Sequence, residues 1–250
     1  MLRRNLRRMR RYPSLTLFVV GLPVVLLLLF VYVFGGTLGS GLGQLAGGRA
    51  AYVAYVIPGI LLMTVVGAAQ GTAISVAMDM HEGIIARFRT MDIARVSVLT
   101  GHVMGSVIQT GLAIAIVMTV AVVIGFRSTT GPTDWIAAAG LLALIALAVS
   151  WLSVALGMAA NSVETASNTP MILILLLFLS SGFVPTDSMP GPLAWFAQYQ
   201  PFTSVIETLR GLLLGTPIGS SGLVAVAWCV GISVVGYLWA RRLYDRERAA

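Results

Sequence analysis

Few residues in this chain are of a type that could make or break bonds, and their spacing limits what each could do. His81-Glu82 opens like HExxH, the helical pattern in which two histidines one turn apart hold zinc and the glutamate acts as base. Ile85 stands where the second histidine belongs, so zinc chemistry is unsupported. His102 and Ser106 are one helical turn apart, a spacing that would let an imidazole activate a hydroxyl. No third group lies nearby in sequence to orient the pair, and a histidine at the membrane interface is the simpler reading. There is no GxSxG elbow. The sixteen basic residues are all arginine. Without a lysine there is no P-loop to reach nucleotide phosphates, so any ATP-driven work must come from a partner. The single cysteine, Cys229, excludes an internal disulfide.

The elements that carry these residues are set by composition. Hydrophobic residues make up 58% of the 250 and charged ones only 10%. A soluble domain could not cover its surface with so few polar groups, so the chain reads as an integral membrane protein. A hydrocarbon core of ~30 Å needs about 20 apolar residues per helix. Six stretches qualify: residues 15–34, 52–78, 100–124, 135–159, 165–183 and 222–240. The first follows a basic leader but is too long for a signal-peptide core and lacks a convincing cleavage site, so a retained signal anchor is expected. The predicted architecture is all-α, a single transmembrane domain over residues 1–250 with six spans.

Arginine placement predicts orientation. Arg3, Arg4, Arg7, Arg8, Arg10 and Arg11 precede the first span, Arg87, Arg89 and Arg95 lie between spans two and three, and Arg241, Arg242, Arg246 and Arg248 follow the last. The other side receives only Arg49, Arg127 and Arg210. Both termini are therefore expected in the cytoplasm, with an even number of crossings.

Parity constrains the stretch "SGFVPTDSMPGPLAWFAQYQPFTSVIETLRGLLLG", which remains half-apolar after the fifth span. Crossing here would place the basic tail outside, and Glu207 and Arg210 would be costly at the bilayer centre. Two short external helices fit better, lying at the interface or re-entrant. One starts at Gly191-Pro192 and is ended by Pro201; the other covers about 204–214, with Ser204 and Glu207 as a capping box and Gly215 as its stop. Val205, Leu209, Leu212 and Leu213 share one face, and Glu207, Thr208 and Arg210 lie around the other. The alternative is an irregular external loop.

Leu2, Leu6 and Met9 are spaced for a basic amphipathic helix on the inner leaflet, unless the arginines only orient the first span. Between Asp79 and Leu99, Ile84, Phe88 and Met91 share a helical face and could dock a cytoplasmic partner; a solvated loop is the alternative. No acid or arginine lies well inside any predicted span, so ion coupling is not expected. Thr64, Gln70, Thr72, Ser75, Ser180 and Ser181 could line a path or bond between helices. The pairs Gly67/Gly71 and Gly101/Gly105 would permit close helix contact, although 27 glycines produce such pairs by chance.

Four stretches in order carry a family resemblance: "RNLRRMRRYP" leading to Pro23 and "YVFGG"; "YVAYVIPGILLM"; "EGIIARFRTMDIARVSVLTG"; and "LSSGFVPTDSMPGPLAWFAQYQPFTSVIETLRGLLLG". The chain resembles the ABC-2 type permeases, particularly the daunorubicin-resistance branch of drug-exporter membrane subunits. Asp92 departs from the pattern, standing where the family usually has proline. The resemblance implies a half-transporter that pairs with a second permease, identical or paralogous, and with two copies of a separate ATPase that binds ATP and magnesium. By position, docking on that ATPase would fall to Glu82, Gly83, Arg87, Phe88 and Arg89, with a lesser contact at Glu164. Met63, Gln70, Phe178 and Ser181 would line the path, and Pro190, Trp195, Pro201, Glu207 and Arg210 would belong to the external lid. An apolar path suits hydrophobic drugs or lipids leaving the cytoplasm or inner leaflet of a bacterial plasma membrane; a lipid-linked glycan or cell-envelope lipid is the alternative cargo. An intramembrane enzyme and a membrane scaffold remain as rivals from other classes. The first lacks a catalytic constellation, and the second has no need of the external helix pair.

Overall fold

The computed structural model describes residues 13–35, 48–82 and 95–246. Nine α-helices follow in order among them: α1 Pro13–Leu29, α2 Gly48–His81, α3 Arg95–Ile124, α4 Pro132–Ala159, α5 Val163–Asn168, α6 Met171–Phe178, α7 Gly191–Tyr199, α8 Pro201–Leu214 and α9 Ser221–Arg246. A π-helical turn, Phe30–Phe34, extends α1, and a 3-10 turn, Thr186–Ser188, precedes α7. The expected N-terminal amphipathic helix lies outside the described residues.

Four of these helices, α2, α3, α4 and α9, are long and apolar enough to cross a membrane. Two shorter apolar stretches, Val19–Phe34 and Val163–Phe178, accompany them. The fifth expected span is the one that differs most. It divides into α5 and α6 at Thr169-Pro170 and ends at Phe178. Pro170 has no N–H to donate, and the Thr169 hydroxyl turns back to the Thr165 carbonyl at 2.7 Å. Hydropathy is blind to such a break because every residue from Met171 to Leu179 is apolar.

Helix α2 forms the centre of the fold. It packs against α1, α3, α4, α5, α6 and α8, and Val56, Ile60, Leu62 and Val66 on it are fully buried. The outer helices α3 and α9 instead leave large apolar side chains exposed, including Val123, Leu223 and Val235. Such surfaces are stable against lipid tails, where helices satisfy their own backbone groups. Two close helix contacts use glycines outside the pairs noted in the sequence. A methyl group on Gly157 would meet the Ala73 carbonyl oxygen at 2.5 Å, and one on Gly236 would meet the Leu152 nitrogen at 2.7 Å. Gly67 and Gly71 face open space.

The segment after α6 folds as two short helices within a few residues of their expected bounds, but the second is not amphipathic in its surroundings. Helix α8 is wedged among α2, α4, α6 and α9, with Phe202, Thr203, Ser204, Val205, Ile206, Thr208, Leu209, Gly211 and Leu213 all buried. Its start also differs. Pro201 occupies the first turn, where a missing N–H costs nothing, so the helix begins before Ser204 and the expected capping box does not form. The Ser204 hydroxyl donates to the Pro201 carbonyl at 2.9 Å, while Glu207 accepts from the Ser221 hydroxyl at 3.2 Å. Gly215 ends α8 in the left-handed region at φ 73°, a conformation glycine adopts without steric cost.

Candidate functional site

A polar arrangement in the apolar interior joins α2, the turn after α6, and α8. Tyr55 on α2 donates its hydroxyl to the Ser181 carbonyl at 2.9 Å. Arg210 on α8 donates from Nη2 to the same carbonyl at 2.8 Å and to the Tyr55 carbonyl at 3.3 Å. Its guanidinium carbon sits 4.0 Å from the centre of the Tyr55 ring, within cation–π range. The Ser181 amide in turn donates to Thr203 Oγ1 at 3.3 Å, which fixes the turn to α8 from the other side. Gly59 and Gly182 meet backbone to backbone beside it; a methyl group on Gly59 would lie 2.9 Å from the Gly182 carbonyl oxygen. The sequence placed Arg210 with Glu207 on the polar side of this helix. In the structure Arg210 turns inward to the carbonyls at 55 and 181, while Glu207 bonds Ser221.

The other expected path residues are placed differently from one another. Met63 is 5% exposed and belongs to the central core. Gln70 donates from Nε2 to the Ser167 carbonyl at 2.8 Å, tying α2 to α5. Phe178 is 42% exposed and stacks on Phe183 at 4.9 Å, which stacks on Phe30 at 5.0 Å. Thus Ser181 and Met63 are interior, whereas Phe178 presents an aromatic edge outward together with Met171 and Leu175 on α6. Of the helix pair, Pro190 and Trp195 are exposed, and Trp195 leans on Tyr199 at 5.5 Å. Gln200, between α7 and α8, is buried and donates to the Leu176 carbonyl at 2.9 Å.

At the far end of α2, the described residues include Glu82, which is exposed at the helix end, and Glu164, exposed in the first turn of α5. Helix α5 packs on α2, so both acids belong to adjoining elements. Gly83, Arg87, Phe88 and Arg89 lie outside the described residues, as does most of the expected docking loop. What was expected as loop at Asp79 and at 95–99 is helical. This places Asp79 inside the packing, 3% exposed, with His102 Nε2 at 3.1 Å from its Oδ2 and His102 equally buried. The contact has ion-pair distance but not hydrogen-bond angles. Helix α2 continues past Met78, so Asp79 belongs to its last turn, just beyond the predicted span. His102 is not directed at Ser106, whose hydroxyl accepts instead from the Ser150 hydroxyl at 2.9 Å. Among the described residues no three metal-binding side chains converge.

Tyr55, Thr203 and the Asp79–His102 pair were not singled out in the sequence. The sequence offered Glu207, one turn before Arg210, as the nearer partner, so nothing in it pointed to Tyr55.

Comparison with known proteins places the chain. The profile of the ABC-2 type transporter family matches residues 1–214. The chain is 31% identical over 233 residues to a daunorubicin resistance ABC transporter permease protein of Streptomyces coeruleorubidus, covering 89% of this chain and 80% of that one. It is 28% identical to a probable doxorubicin resistance ABC transporter permease protein of Mycobacterium tuberculosis, covering 92% and 82%, and 26% identical to nodulation protein J of Rhizobium meliloti, covering 87% and 82%. A family match over this much of the sequence, on a helical fold with apolar spans, establishes that the chain is a membrane protein belonging to the ABC-2 type transporter family.

Proposed function

We propose that this chain is the permease subunit of an ATP-driven exporter that moves hydrophobic or amphipathic drugs or lipids out of the cytoplasm or inner leaflet. In this reading it forms one transmembrane domain with six crossings and both termini cytoplasmic. The first and fifth crossings use the two shorter apolar stretches, and α7 and α8 lie on the external side. A second permease copy or paralogue completes the path, and two ATPase subunits supply ATP, magnesium and the hydrolytic chemistry that a lysine-free chain lacks. The loop following α2 docks on them through the region of Glu82 to Arg89, with Glu164 beside it.

The observation that supports this best is the character of α2. It is the most enclosed helix, and from Tyr52 to Met78 it carries no charged side chain. Beside it, the apolar stretch of α5 and α6 is broken at Thr169-Pro170. A central uncharged helix next to a discontinuous one suits an apolar cargo path better than an ion path, for which charged groups at membrane depth are the rule. The daunorubicin and doxorubicin resistance relatives point to the same cargo class.

Proteoliposomes containing the permease and its ATPase, loaded with doxorubicin, test the reading. ATP-dependent movement of the drug is expected. Movement of a fluorescent phospholipid in place of the drug would favour the cell-envelope lipid alternative.

A further inference from the structure

The junction of Tyr55, Ser181 and Arg210 has features that a permanent brace would not need. Three elements that otherwise pack through apolar side chains converge on one carbonyl oxygen, which accepts from both Tyr55 and Arg210. The arrangement is incomplete. Arg210 Nε and Ser181 Oγ are buried without a hydrogen-bond partner, and the guanidinium rests on carbonyls and a ring while Glu207 bonds Ser221. A partly satisfied buried polar network is a poorer source of stability than an apolar contact of the same size. It does, however, specify one arrangement and exchange for another when new partners arrive.

The surrounding backbone can move. Pro58, three residues after Tyr55, removes a hydrogen bond from the α2 ladder. Helix α6 stops at Phe178, just before Ser181, and α8 starts afresh at Pro201. Segment ends of this kind absorb backbone rotations in closing movements.

We propose that Arg210, Tyr55 and Ser181 form a latch that closes this end of the bundle at rest and parts once in each transport cycle. Arg210 is the positioning residue: it holds α8 and the turn after α6 against α2. The proposal rests on the exporter reading above and adds the contact whose opening gates the path.

A reversible crosslink tests it. In a Cys229→Ala background, Gly59→Cys and Gly182→Cys are combined, since these two glycines bring α2 and the turn after α6 backbone to backbone. The complex with its ATPase is reconstituted and doxorubicin export measured. Oxidation should join the two cysteines and lower export at least tenfold, and a reductant should restore it. Equal export in the oxidised and reduced states would show that the junction never parts and would overturn the proposal, as would failure of the cysteines to join. A second readout needs no transport. Thr203→Cys alone, buried beneath the latch, should react with a hydrophilic maleimide at least fivefold faster when Arg210→Met is added. Arg210→Lys, which keeps the charge but loses the planar fork, should fall between. No change in reactivity would also overturn the latch. If the parent complex exports nothing, the exporter reading fails, while the maleimide reactivity still decides on the latch.

Discussion

Replacing Gly59 and Gly67 by alanine, one at a time, separates a tight backbone contact from helix propensity within a single element. Both glycines lie inside α2, so each substitution gains the same helix propensity, about 1 kcal/mol at most. Their surroundings are opposite. A methyl group on Gly67 meets nothing within 4 Å, whereas one on Gly59 would lie 2.9 Å from the Gly182 carbonyl oxygen and 3.1 Å from the Gly182 Cα. Backbone cannot rotate away as a side chain can, so the turn after α6 must shift and stretch the bonds from Tyr55 and Arg210. Overpacking of this kind typically costs about 1–3 kcal/mol. Because propensity cancels between the two variants, their difference isolates that cost. For a chain of this size it corresponds to a melting-point separation of roughly 2–12 °C. Thermal unfolding of the purified permease in one detergent, followed by tryptophan fluorescence, measures it. Gly67→Ala should melt at or above the parent and Gly59→Ala clearly below Gly67→Ala. A Gly59→Ala variant as stable as Gly67→Ala would refute the close packing of α2 on the turn.

Other outcomes follow from the sequence, the structure and the exporter reading. Purified permease alone should hydrolyse no ATP, and membrane-dependent turnover should appear only when an ABC ATPase subunit is added; phosphate release measures both. Phe88→Asp should uncouple hydrolysis from export while leaving insertion intact, because docking would otherwise bury a side chain worth ~1.5–3 kcal/mol; cysteine crosslinks from positions 80–92 to the ATPase check the contact. Leu209 is fully buried, so Leu209→Ala should cost about 2–5 kcal/mol, and an aspartate there should impair assembly as well as the seal. Trp195→Ala should scarcely change stability, since that ring is 64% exposed. Single cysteines at Thr186 and Thr216 should both react with an impermeant reagent outside intact cells, and protection of Thr216 alone would mean that the stretch between them crosses.

The long helices were legible because a membrane span is a one-dimensional signal: α2, α3, α4 and α9 each overlap an apolar run that needs no knowledge of neighbours. The two helices after α6 were legible too, from Pro192, Pro201 and Gly215, whose backbone restrictions act locally. What escaped depended on tertiary surroundings. Helical spacing showed Glu207, Thr208 and Arg210 on a polar side of α8, but it could not show that α2 and α9 would cover that side and supply Tyr55 and Ser221 as partners. Asp79 looked like the first loop residue, and only packing against α3 reveals it as a buried neighbour of His102. The break at Pro170 was written in the sequence and was outweighed by the hydropathy around it.

Reconstitution with an ABC ATPase tests the permease assignment most directly. Doxorubicin-loaded proteoliposomes containing both proteins should lose or gain the drug only when ATP is supplied on the ATPase side, and neither protein alone should move it. Drug movement that ignores ATP, or that persists when the ATPase is omitted, would contradict an ATP-driven exporter built on this chain.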